Sequence, residues 1–151
     1  MKRRRFIGLL PAPILAAFGA GIVLGGCNQE PAAGPVDIKW DREVDPRCSM
    51  VISDKHFAAQ IRDQNRKVWK FDDVGCAIFW LAHQTFNEET ARVEFWVNDY
   101  ENPGQWLDAR QANYIAGKKS PMGYHFAAVK NPTPDSVPYA EMKKRILARG
   151  K

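Results

Sequence analysis

The stretch KVWKFDDVGCAIFWLAHQTF, residues 67–86, decides the reading of the fold, because a strand pattern and a helix pattern meet in it at two aspartates. Lys67 to Phe71 reads as an extended, half-buried run. Asp72 and Asp73 are natural N-caps, their short carboxylates suited to the unpaired N–H groups of a first helical turn. Beyond them Cys76, Phe79, Trp80 and His83 recur at three- and four-residue spacing, which predicts a helix over about 74–85.

Working backwards, Met50 to Ile52 and Phe57 to Ile61 are extended runs, and the polar turn Asp63-Gln64-Asn65-Arg66 joins the second to Lys67–Phe71 as a β-hairpin. Forwards, residues 91–100 place Val93, Phe95 and Val97 on one face until Asn102-Pro103-Gly104 breaks the pattern. Shorter runs at 106–109, 112–115 and 124–129 follow. Pro132 and Pro134 end that region, and Ser136 and Pro138 open an amphipathic helix carrying Tyr139, Met142, Ile146 and Leu147 on its apolar side. His56-Phe57-Ala58-Ala59 recurs as His125-Phe126-Ala127-Ala128, each copy shortly after a methionine (Met50, Met122). The expectation is an α+β domain over 38–151, built from two small ββα-type lobes at about 38–90 and 91–151 packed side by side.

Composition agrees with one core. The chain has 151 residues, 45% hydrophobic and 26% charged, with five tryptophans, which excludes disordered and disulfide-dense classes. Its net charge of +5 comes from 22 basic and 17 acidic residues. Lys2, Arg3, Arg4 and Arg5 hold four of the basic ones, so the rest is close to neutral and lacks the footprint of a nucleic-acid binder.

After that basic cluster, residues 6–26 carry no charge and end at Cys27. A basic head, an apolar run and a small-residue exit describe an export signal. A retained membrane span is the competing reading, since the run approaches spanning length, but Pro11, Pro13 and five glycines weaken it as a permanent helix. Leu24-Gly25-Gly26-Cys27 resembles a bacterial lipobox, which makes residues 1–26 a lipoprotein signal peptide and Cys27 the lipidated residue, anchoring the chain to a membrane. Arg3-Arg4-Arg5-Phe6-Ile7 also matches a twin-arginine core. Either route places the protein outside the cytoplasm. Residues 27–37, rich in proline and glycine, suit a flexible tether.

With Cys27 acylated, Cys48 and Cys76 remain. In an oxidising compartment two thiols can pair, and their spacing excludes a C-x-x-C redox motif. Cys48-Ser49-Met50 also sets a thiol and a thioether two residues apart, on one side if the segment is extended. Such soft donors select Cu(I) over harder cations. Met122, in the turn-prone Ser120-Pro121-Met122-Gly123, is a third soft donor, and His125 or His56 could add a nitrogen. His83, on a helix face, reads as structural. No G-x-S-x-G, H-E-x-x-H, P-loop or G-x-G-x-x-G occurs, and Asp72-Asp73 read as caps, so nothing points to an enzyme.

Several blocks taken together resemble the NosL-type accessory lipoproteins of nitrous oxide reductase. These are Asp45-Pro46-Arg47-Cys48-Ser49-Met50, HFAAQ at 56–60, KFDDVGC at 70–76, WLDARQANYI at 106–115 and SPMGYHFAA at 120–128. The resemblance implies a periplasmic, lipid-anchored, non-catalytic Cu(I) chaperone of two ββα-type lobes. Its partner would be nitrous oxide reductase or its assembly machinery, where copper enters the tetranuclear sulfide-bridged centre. The family's C-x-M motif falls on Cys48 and Met50, its later methionine on Met122, and a histidine ligand best on His125. Members commonly have Gly between the Cys and Met, where this chain has Ser49. A structural or adaptor lipoprotein with a Cys48–Cys76 disulfide is the other reading of the same residues.

Overall fold

The computed structural model describes residues 31–86 and 92–150. The expected signal peptide, Cys27 and the first residues of the expected tether lie outside them. Among the described residues no helix is long and apolar enough to cross a membrane.

The hairpin forms from β1 (Ala59–Arg62) and β2 (Val68–Phe71), in antiparallel register with Ala59 opposite Phe71. Its turn closes through Arg66, whose backbone is left-handed (φ 69°), and through the Asp63 carboxylate, which accepts the N–H groups of Asn65 and Lys67. Helix α1 (Val74–Ala82) follows, completing one ββα unit. It ends three residues short of the expected Thr85, because His83 and Gln84 turn back and donate to the carbonyls of Phe79 and Trp80.

β3 (Glu94–Asn98) and β4 (Trp106–Asp108) then join the first sheet, in the order β2-β1-β3-β4. The division at about 90/91 therefore does not separate the sheets. One face of this sheet, with Ala59, Ile61, Phe71, Phe95 and Val97, packs on α1. That helix is buried on nearly all sides because α2 (Tyr139–Ala148) covers it from the other side. β5 (Asn113–Ala116), β6 (Phe126–Val129) and β7 (Ser136–Pro138) make a second antiparallel sheet in the order β6-β5-β7. The architecture is thus mixed α+β, with two helices and two small antiparallel sheets.

Three local readings change. Met50–Ile52 contributes a single bridge, Val44 to Val51, rather than a strand. Ser136–Pro138, expected to open the last helix, is itself a short strand; Pro138 is extended (ψ 165°), so the helix starts only at Tyr139. The chain is fixed to the domain from Gly34, three residues before the expected end of the tether. The Gln60 side chain makes both hydrogen bonds of Val36, accepting its N–H at 2.9 Å and donating to its carbonyl at 2.8 Å, and Arg62 donates to the Gly34 carbonyl at 2.8 Å.

The two HFAA copies sit differently, the first running into the central β1 and the second into the edge strand β6. One short stretch links them: Asn98 N–H donates to the Ala58 carbonyl (2.9 Å) and Tyr100 N–H to the Ala128 carbonyl (2.8 Å).

Candidate metal centre

The site is assembled around the N-terminus of α1. Asp73 caps the helix as its sequence position predicts, one carboxylate oxygen accepting the Gly75 N–H at 2.9 Å. Its other oxygen accepts the Ser120 hydroxyl at 2.6 Å and the Met122 N–H at 3.2 Å. The Ser120 oxygen in turn accepts the His125 N–H at 2.9 Å. The 120–125 loop is thus tied to the helix cap on one side, while Arg149, just beyond α2, donates to the Gly123 and Tyr124 carbonyls at 3.0 and 2.8 Å. Burial raises the pKa of Asp73 despite these donors.

Asp72 does not cap the helix; it accepts the N–H groups of Ser53 and Asp54 at 2.8 and 3.0 Å. Asp45 makes the third tie. One of its oxygens accepts the N–H groups of Arg47 and Cys48, and the other accepts the Asp72 N–H at 3.1 Å. All three carboxylates are buried, and each bond replaces one that a buried donor would otherwise lose. Loops 45–50 and 120–125 are both moored to the start of α1.

Backbone bonds between Asp45 and Met50 (2.8 Å) and between Ser49 and Asp45 (2.9 Å) close the first loop. Ser49 is left-handed within it (φ 62°), a conformation that glycine adopts without strain. Glycine would hold this turn with less strain than Ser49 does. The loop leaves Cys48 half-buried and Met50 56% exposed, beside the exposed Val44 and Val51.

Met122 is half-buried and packs on the same core as Cys48. Between Met122 and α1, Tyr124 lies flat against Gly75, where a Cβ would stand 2.0 Å from the ring. The His125 Nδ1 lies 3.1 Å from the Lys118 carbonyl. Since a carbonyl only accepts, Nδ1 carries the proton and Nε2 keeps its lone pair, the tautomer a metal ligand needs. The other histidines are engaged elsewhere: His56 with Asp54, and His83 with the end of α1.

The sequence places Cys76 on α1 and offers Cys48 as its disulfide partner, but does not show that Asp45 joins them. The Cys48 and Cys76 sulfurs and an Asp45 oxygen lie within 4.8 Å of one another. Both cysteines are free thiols. Burial raises the Cys48 pKa, helped by the Asp45 carboxylate and opposed by the Met50 N–H and the Cys76 S–H. Burial pushes Cys76 far higher. The only local signal for this trio is the cap itself, which sets Cys76 in the first turn of α1; the Asp45 contact spans 27 residues and leaves no local trace.

The chain is similar in fold to the crystal structure of the copper chaperone NosL from Shewanella denitrificans. The two share 15% identity and a TM-score of 0.54, over 78% of this chain and 88% of that one. No curated protein sequence matches it. The family model for NosL matches residues 35–137, from the segment pinned by Gln60 through both moored loops to the threshold of α2, and the chain belongs to the NosL family.

Proposed function

We propose that this protein is a Cu(I) chaperone, exported, lipid-anchored at Cys27 after removal of residues 1–26, and working on the periplasmic side of a bacterial membrane. The observation that carries this reading is the half-buried Cys48 thiol in a loop held by Asp45, with the exposed Met50 thioether two residues on. Cys48 and Met50 are the primary ligands, with Met122 and the Nε2 of His125 completing the set from the second loop. Thiolate and thioether donors favour Cu(I) over harder ions. An open, loop-borne site suits a cargo that must leave again better than a closed four-ligand cage does. The related fold of a copper chaperone and membership of the NosL family support the same reading. Nitrous oxide reductase or its assembly machinery is the recipient we assign, and the chain carries copper without turning over a substrate. Ligation needs the Cys48 thiolate, so affinity falls as pH falls.

An anaerobic Cu(I) titration of the exported, detergent-solubilised chain against a colourless chelator tests this. One equivalent bound tightly, lost in Cys48→Ser and weakened in Met122→Leu, is the expected result; binding indifferent to Cys48 refutes it. Palmitate labelling that disappears in Cys27→Ser tests the anchor.

A further inference from the structure

Cys76 is the one soft donor near the Cys48 loop to which the reading above gives no task. Its sulfur lies within 4.8 Å of the Cys48 sulfur. Metal–thiolate bonds are about 2.3 Å long. Two of them span about 4.6 Å when opposed and about 4.0 Å at a trigonal angle, the same range as the separation of these sulfurs, so one ion can bridge them. Both cysteines are also held in place. Asp73 fixes the turn of α1 that carries Cys76, and Asp45 fixes the loop that carries Cys48.

Asp45 completes the geometric trio but is poorly suited as a ligand. It is a hard donor, and both of its oxygens already accept backbone N–H groups. It is a positioning residue that sets the distance between the two sulfurs.

We propose that Cys76 is a second thiolate ligand, so that Cu(I) arriving at the exposed Met50 and half-buried Cys48 settles between Cys48 and Cys76. This deepens the chaperone reading and rests on it. The three sulfurs form a gradient from solvent to core: Met50 exposed, Cys48 half-buried, Cys76 fully buried. The step is a ligand exchange without redox change, in which Cu(I) and two thiols give a two-coordinate dithiolate and release two protons to solvent. A bound cation takes both sulfurs as thiolates. The inner position holds the cargo away from water, and return to Cys48 and Met50 presents it to a recipient.

The test adds Cu(I), as its acetonitrile complex, to the reduced full chain in weak buffer near pH 7 without oxygen, counting protons released and measuring affinity by chelator competition. The expected result is two protons per copper in the wild type, one in Cys76→Ala, and at least a tenfold loss of affinity in that variant with one equivalent still bound. One proton in the wild type and an unchanged affinity in Cys76→Ala overturn the proposal while leaving the chaperone reading intact. No binding by the wild type overturns both. Should Cys76→Ala fail to fold, Cys76→Ser and the wild-type proton count still decide.

Discussion

Asp73 and Ser120 are 47 residues apart in the chain, yet the Ser120 hydroxyl donates to the Asp73 carboxylate at 2.6 Å in the interior. The same carboxylate caps α1, so a single side chain sets where the helix begins and ties the Met122 loop to it.

Asp73→Ala removes a cap and strands the buried donors of Ser120 and Met122. The cap alone is worth about 0.5–2 kcal/mol, and orphaned buried groups add about 1–3 kcal/mol. We expect unfolding free energy to drop by about 2–4 kcal/mol in urea titrations, and Cu(I) affinity to fall in the fraction that stays folded.

Ser49→Gly should stabilise. The left-handed backbone at Ser49 strains any residue with a Cβ, and glycine relieves that strain at some expense in unfolded-chain entropy. The expected gain is about 0.5–1 kcal/mol, read as a higher urea midpoint, with Cu(I) stoichiometry unchanged. A destabilised variant would contradict the strain account.

Gly75→Ala should do the opposite. The added methyl would stand 2.0 Å from the Tyr124 ring, so the ring must leave the helix, taking the Met122 loop with it. Overpacking of this kind costs about 1–3 kcal/mol. Near-ultraviolet circular dichroism, sensitive to Tyr124 and to Phe79 stacked on it at 5.7 Å, should change along with stability.

Stability should also fall in mild acid through Glu94. Burial raises its pKa, but the Gly34 N–H, the Trp96 indole, Arg66 and Arg62 together outweigh that and hold it below its ordinary 4.5. A carboxyl group lowered in the folded state contributes stability in full above the unfolded value, and loses it as pH drops through the folded one. Glu94→Gln should therefore lower stability at pH 7 and flatten the acid decline below about pH 4.5. Urea midpoints from pH 3 to 7 in the two proteins check the sign.

The first ββα unit was legible because its signals are local: alternation in β2, a polar turn, an aspartate cap, then helical spacing. β7 was not, since three residues ending in proline before a helix carry the same pattern as a helix start. The Cys48-Ser49-Met50 motif could be found from residue type and from the blocks that resemble the family. Its supports could not, because Asp45 reaches Asp72 across 27 residues and Asp73 reaches Ser120 across 47. The pinning of Gly34 and Val36 was hidden for a related reason. Gln60 and Arg62 lie in a strand whose four residues are all buried, and the Gln60 amide and one Arg62 nitrogen bond a segment that composition alone describes as loose.

The stitch at Asn98 and Tyr100, one N–H donated to each HFAA copy, bears on how the gene can be cut. Repeats that fold separately can be expressed as fragments, shuffled or fused in tandem. Here a fragment ending near residue 90 would keep β2 but lack β3, the partner on the other side of β1, and one starting there would carry β3 and β4 without β1 to join. The similarity between the copies is therefore no guide to a minimal working piece; swaps between relatives should exchange whole domains.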